Sequence, residues 1–294
     1  MRYVEPLFRP PSEARSLLLQ VTIGCSHNAC TYCGMYQSPR QRFRVRSLDA
    51  VKADIDEAGG ALTGPVPRVF LADGDALVVP PRRLAAILEH LRRRIPSVRR
   101  VGIYGDARSI LRWSVEELRC LRELGLGIVY HGAESGDDEV LRRVGKGSTA
   151  AEAVRAARRL RAAGIRHSVM VMLGLGGVER SREHAAATAE LITHMDPPYV
   201  GALTTMLVPG TPLAADAAAG RFRLPDRWGM LRELRTLVAE SRPSRCAFHA
   251  NHASNHLPLR LNLPADRGRG TALLDEVLAS RDESRLLPEQ WRGL

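Results

Sequence analysis

The 294-residue sequence lacks any long apolar run. No stretch approaches the roughly 18 consecutive apolar residues of a membrane span, and "MRYVEPLFRPPSEAR" carries Glu5 and three prolines where a signal peptide needs an apolar core. A soluble, cytoplasmic chain with no membrane partner is expected. Cysteine is scarce and odd in number, five in all, which excludes a disulfide framework and leaves thiols that ligate something or are simply buried. Lysine is nearly absent: of 43 basic residues only Lys52 and Lys146 are lysines. The formal charge of +11 therefore comes from arginines spread over nearly every segment, and an interface for nucleic acid is the weaker reading of such a distribution. The run Arg92, Arg93, Arg94 closes a predicted helix, where cations favour the dipole.

What is present is a regular alternation. The 45% hydrophobic content is enough for a sizeable core. "SLLLQVTIG" (16–24) reads as a strand and "SLDAVKADIDEAGG" (47–60) as a helix with Ser47 as N-cap and Gly59 past its end. "VPRVFLADGD" precedes the helical "PRRLAAILEHLRRRIP", and "RRVGIYGDA" precedes "SVEELRCLRELG", with a capping box of Ser114 and Glu117 and a stop at Gly125. "GIVYHGAESG" then leads to "TAAEAVRAARRLRAAG", "IRHSVMVMLGLGG" leads to "SREHAAATAELITHM", and "YVGALTTMLVPGTPL" reads as a sixth strand. Nearly continuous apolar strands alternating with amphipathic helices imply parallel pairing with right-handed crossovers. The expected class is α/β, an open or partial (βα)6 barrel of the TIM type. Residues 1–15 form an extension, 16–215 the barrel and 216–294 a short helical and loop lid. Function is expected at the carboxyl ends of the strands.

Three of the five cysteines, Cys25, Cys30 and Cys33, stand in the loop after the first strand at spacing CxxxxCxxC, with no fourth nearby. Structural zinc usually takes four Cys or His ligands as two pairs, and His27 is badly placed inside the loop to complete a tetrahedral knuckle. Three thiolates without a fourth suit an iron-sulfur cluster with one iron open. Here the chain resembles the radical S-adenosylmethionine (radical SAM) superfamily, whose signature is a CxxxCxxC loop with an aromatic before the last cysteine. Tyr32 stands at that aromatic position, and one extra residue separates Cys25 from Cys30. Three further stretches carry the resemblance. Asp73, Gly74 and Asp75 stand where the superfamily has a "GGEP"-like turn, which implies contact with the ammonium group of SAM; turn chemistry alone would also place Asp-Gly-Asp there. "YHGAESGDDEVLRRVGKG" (130–147) is similar to the strand-four segment of the branch holding oxygen-independent coproporphyrinogen oxidase, elongator-type and methylthiotransferase enzymes. That likeness implies that Glu134, with Ser135 beside it, binds the ribose or amino-acid part of SAM; the alternative is a helix-start carboxylate. The glycine-rich "VMVMLGLGG" (169–177) implies backbone approach to adenine at Gly174.

The resemblance covers roughly residues 16–215. It implies a 4Fe-4S cluster held by Cys25, Cys30 and Cys33, SAM as the second cofactor, and an oxygen-sensitive enzyme. Reductive cleavage of SAM would give a 5'-deoxyadenosyl radical that abstracts hydrogen from substrate. An acidic electron donor, ferredoxin or flavodoxin, would suit the basic surface. No segment before residue 16 could hold a cobalamin domain, no further cysteine set could bind a second cluster, and no RNA-binding module is visible after the barrel. A small-molecule substrate is the leading expectation, with an anion a candidate because Arg42, Arg44 and Arg46 alternate in "QRFRVR"; surface solvation explains these equally. The alternatives are a radical SAM enzyme that modifies tRNA and a nonenzymatic Cys/His metal-binding module. In "CAFHANHASNH" (246–256), His249, His252 and His256 are spaced to share one helical face, as a metal site, catalytic acid-base groups or a substrate clamp; helix capping and ordinary polar packing are the alternative. Cys120 is expected to be a small buried hydrophobe.

Overall fold

The computed structural model describes residues 1–293. Its strands are β1 (Leu17–Gln20), β2 (Thr22–Ile23), β3 (Arg44–Val45), β4 (Arg68–Ala72), β5 (Arg100–Tyr104), β6 (Leu126–Glu134), β7 (Arg166–Leu173), β8 (Tyr199–Thr204), β9 (Cys246–Ala250) and β10 (Leu259–Leu263). Its helices are α1 (Leu48–Ala61), α2 (Pro81–Arg94), α3 (Ala107–Leu111), α4 (Val115–Glu123), α5 (Asp138–Arg143), α6 (Ala150–Ala162), α7 (Ser181–Met195), α8 (Pro212–Ala218), α9 (Arg227–Glu240) and α10 (Arg267–Ser280). Eight strands form a mostly parallel sheet in the order β1-β4-β5-β6-β7-β8-β9-β10, and β2 and β3 make a separate antiparallel pair.

The chain divides into two compact units. The first takes Met1–Asn28, Met35–His131 and Arg158–His167. Its central strand β4 is buried on both faces, as its apolar run requires: Val69, Phe70, Leu71 and Ala72 are fully buried. Helix α2 buries Leu84, Ile87, Leu88 and Leu91, one stripe at 3.6-residue period. Arg46 brings its guanidinium to Asp54 of α1 at 2.6 Å and to the Gln20 carbonyl at 2.8 Å, so of the alternating arginines it is a bracing residue, while Arg42 and Arg44 are exposed.

The second unit takes Ala29–Gly34, Gly132–Ala157 and the chain from Ser168 onward. Its core packs β7, β8, β9 and β10 under α7, α9 and α10, with Phe248, Val200, Val171, Leu234 and Leu274 among the fully or nearly fully buried residues. Strand β9 pairs in parallel with β8, and β10 closes the edge antiparallel to β9. Alternate residues of β10 are buried and exposed, the pattern of a strand with one wet face.

Several local expectations hold. Ser47 caps α1 through its hydroxyl, and the capping box of Ser114 and Glu117 is present at α4. Four need correction. The predicted first strand breaks into β1 and β2 at Val21, whose N–H still donates to the Ala72 carbonyl of β4 at 2.6 Å while its carbonyl turns to the Arg46 N–H at 3.0 Å. Gly59 lies inside α1, which runs to Ala61 and ends with the Leu62 N–H on the Ala58 carbonyl. Cys120 is exposed, because α4 turns Leu118 and Leu121 inward and leaves it on the outer face. Residues 216–294 hold two strands as well as helices and loops: the period-two burial of "CAFHA" and "LRLNL" suits them to extend the sheet.

The capping box yields a simple test. Ser114→Ala removes the acceptor for the Glu117 N–H in an exposed first turn, and should lower unfolding free energy by about 1 kcal/mol in denaturant titration.

Candidate functional site

In the first unit, the turn after β4 carries Asp73, Gly74 and Asp75. The Asp73 carboxylate accepts from the Gln20 amide (3.1 Å), the Gly24 N–H (3.3 Å) and the Tyr36 hydroxyl (2.9 Å), and its own N–H donates to the Thr22 hydroxyl. Burial pushes its carboxyl above the usual range against these three donors. Asp73 thus pins the start of the cysteine loop to the strand ends. A Cβ at Gly74 would lie 2.9 Å from the Cβ of Cys25 and 2.6 Å from the Tyr36 ring, so only glycine lets this turn pass so close beneath the first cysteine. Asp75 is buried, accepts from the Ser26 hydroxyl at 2.6 Å and from the Asp106 N–H, and is pushed up by burial and then by the Asp106 charge.

In the second unit, β6 ends on Glu134, which takes a left-handed backbone (φ +65°), a conformation costing a non-glycine residue about 1–2 kcal/mol. Its carboxylate folds back over Gly132, where any Cβ would sit 2.1 Å from Oε1. Lys146 Nζ meets the same oxygen at 3.1 Å, and both side chains are about nine-tenths buried. The Tyr32 hydroxyl also bonds this carboxylate; burial, Glu134 and the thiols of Cys30 and Cys33 together hold the phenol far above its ordinary titration range. Lys146 sits between Gly145 and Gly147, both with positive φ. A Cβ on Gly145 would lie 2.9 Å from the Ala29 carbonyl, and the Thr31 N–H donates to the Val144 carbonyl, so the Lys146 loop is seated on the cysteine loop itself.

The next two residues of the motif meet α7. Ser135 Oγ lies 2.8 Å from His184 Nδ1 of α7 and accepts from the Asp137 N–H, and a Cβ at Gly136 would collide with the Ala187 carbonyl at 2.0 Å. Gly174, after β7, has φ +79° and donates its N–H to Glu233 of α9 at 2.6 Å.

No disulfide joins any of the five cysteines among the described residues; Cys25, Cys30 and Cys33 are half-buried and Cys246 buried. Among the described residues, no three His, Cys, Asp or Glu side chains converge around a point where one metal ion would sit. Three thiols on one nine-residue stretch, two of them flanking a half-buried tyrosine, make a sulfur-only donor set that suits an iron-sulfur cluster.

The C-terminal histidines do not share a helical face. Residues 246–250 form β9, with the Ala247 N–H on the Pro198 carbonyl, and 251–258 are loop, because sheet pairing overrides the three- and four-residue spacing. His249 is exposed, opposite in pleat to Phe248. His252 Nδ1 accepts from the Ser254 N–H and lies 2.9 Å from its hydroxyl. His256 is buried and lines a cavity of about 390 Å³ with Arg227, Glu283 and Glu289; burial and Arg292 lower it to about 4.

The model of the Radical SAM superfamily matches residues 19–191. This chain belongs to the radical SAM superfamily. Enzymes of this superfamily use a 4Fe-4S cluster and SAM, and require a reductant as well as a substrate. A curated relative, 4'-phospho-dehydrooxetanocin synthase of Priestia megaterium, is 24% identical over 202 residues, 62% of this chain, which spans only 27% of that protein. Coproporphyrinogen III oxidase (HemN) of Escherichia coli matches with TM-score 0.59 and 18% identity over 76% of this chain and 51% of its own. The archaeal Elp3 of Methanocaldococcus infernus matches at TM-score 0.51 and 14% identity over 90% of this chain and 63% of its own. The sheet order and these likenesses make the fold the partial barrel of the superfamily, extended at one edge by β9 and β10. Among the described residues no helix is long and apolar enough to cross a membrane.

Lys146 is the residue that sequence reading passed over. Its signal was its rarity: in a chain that writes nearly every cation as Arg, one of two lysines follows the G-x-E-S-G segment. The buried pair makes a prediction. Lys146→Met leaves the Glu134 charge uncompensated and should cost about 3–5 kcal/mol, whereas the double variant with Glu134→Gln should recover most of that loss in denaturant titration.

Proposed function

We propose that this radical SAM enzyme acts on a small anionic molecule, with Cys25, Cys30 and Cys33 holding the cluster and the Glu134 carboxylate anchoring SAM. The observation that carries the reading is the union, in one unit, of Cys30 and Cys33 with Tyr32, Glu134 and Lys146: a hydrogen-bonded ion pair stands beside the thiols, at a strained strand end. When bound, the cluster and SAM supply one-electron reduction and hydrogen-atom abstraction. The protein's own tasks are placement and exclusion of water. Tyr32 and Lys146 fix the orientation of the Glu134 carboxylate, leaving it a hydrogen-bond acceptor for the hydroxyl or ammonium groups of SAM. Tyr32 stays protonated and so can donate its O–H to the carboxylate. In the first unit, Asp73 holds the loop and the raised carboxyl of Asp75 offers a second polar contact.

Support for an anionic substrate comes from the +11 charge and from the relative whose name denotes synthesis of a phosphorylated compound. The same charge favours docking of an acidic flavodoxin or ferredoxin. His256, neutral in its cavity beside Arg227, is the C-terminal histidine best suited to contact substrate, with His249 and His252 on the same β9 strand and loop.

Anaerobic reconstitution tests the reading. The chain should take up about four irons with a brown chromophore whose reduced electron resonance changes when SAM is added. Cys25→Ala, Cys30→Ala or Cys33→Ala should each abolish uptake, whereas Cys120→Ala and Cys246→Ala should retain it. Glu134→Gln should weaken SAM binding with iron content unchanged. One zinc and no iron per chain would overturn the assignment.

A further inference from the structure

Helix α7 is tied to both turns that end β6 and β7. On one side, His184 bonds Ser135 at 2.8 Å, and the Gly136 N–H donates to the Thr188 hydroxyl at 3.0 Å. On the other side stands Glu233 of α9, a carboxylate only 2% exposed that no ion pair with Lys or Arg neutralises among the described residues. Its Oε2 accepts from the Gly174 N–H at 2.6 Å, and its Oε1 accepts from the Ser181 hydroxyl, at the start of α7, at 2.5 Å. Met230, one helical turn before it, fills the space a side chain at Gly174 would need: a Cβ there would lie 2.3 Å from Met230 Cε. Two residues of one face of α9 therefore grip a peptide held at φ +79°.

A buried carboxylate that accepts two protein hydrogen bonds and faces no cation is costly, and such a cost persists where the group has a task. We infer that Glu233 is a positioning residue for SAM, clamping the Gly174 peptide and the first turn of α7 in the geometry that SAM binding requires. The inference rests on the reading of the Gly174 turn as the edge facing SAM. Burial raises the Glu233 carboxyl to about 7, against the two hydrogen bonds that lower it. The groups facing it are Ser181 and His184 of α7 and the Gly174 amide of the turn after β7. His184 Nε2 is 3.8 Å away, and bonds the Met172 carbonyl at 2.7 Å; burial lowers its pKa, so it stays neutral while Glu233 titrates.

The sign follows. Above about 7 the anion holds both donors. As pH falls through that value, one oxygen becomes a hydroxyl, the bond from Gly174 loses its charge assistance, and the clamp loosens. SAM binding should weaken towards acid, by up to about tenfold for each unit by which SAM lowers the carboxyl pKa.

The test follows two readouts on the cluster-bearing 294-residue chain between about pH 6 and pH 8: the amide resonance of Gly174 without SAM, and the dissociation constant of SAM by equilibrium dialysis. In the parent, the resonance should move with a midpoint near neutrality and affinity should fall severalfold towards pH 6. In Glu233→Gln both should become flat. A Gly174 resonance insensitive to pH overturns the clamp, as does one that still titrates in Glu233→Gln. A resonance that titrates while SAM affinity stays constant overturns instead the reading of this turn as SAM-facing, and the positioning role falls with it.

Discussion

A carboxylate placed at the carboxyl end of a buried strand must be answered by donors, and the second unit is organised around answering Glu134. The strand could have ended on an unstrained residue exposed to water. Instead the backbone turns left-handed, the side chain doubles back over Gly132, and Lys146 and Tyr32 close on it from two loops. Each answer restricts the sequence: glycine at 132 for room, glycine at 145 so the lysine loop can lie on the cysteine loop, glycine at 136 so the following turn can approach α7. The G-x-E-S-G segment is thus a steric device as much as a chemical one.

Much of this architecture could be read from sequence. Six strand-helix units in parallel order followed from apolar runs alternating with amphipathic helices, and local caps such as Ser47 and Ser114 followed from hydroxyls before periodic segments. The cysteine spacing and the order of four strand-end motifs were enough to reach the superfamily. The failures share a cause, which is tertiary override of local pattern. Helical spacing of His249, His252 and His256 was an accident of a strand followed by a loop, because pairing with β8 was invisible without knowing that the sheet continued. Cys120 looked buried by type, yet the phase of α4 left it outside.

Within the candidate site, residue type could be read from sequence and partnership could not. Asp73 and Ser135 read from sequence as contacts for a ligand; the structure adds protein partners to each, Gln20, Gly24 and Tyr36 for Asp73, His184 and Asp137 for Ser135. Glu233 gave no sequence signal at all. It sits at a helical position in a segment with no motif, and only the meeting of α9 with the turn after β7 gives it two donors.

The sheet ends on β1 and on β10, and the chemistry of the second edge bears on the behaviour of the protein in concentrated solution. Strand β10 at this edge is five residues long, bounded by Pro258 and Pro264, with Arg260 and Asn262 on its wet face. Prolines lack the N–H that a docking strand would use, and a charge pointing outward penalises a neighbour laid alongside. A sheet lengthened by two strands would ordinarily gain a longer template for unwanted pairing with other chains. Here the extension ends in a strand too short and too punctuated to seed aggregation.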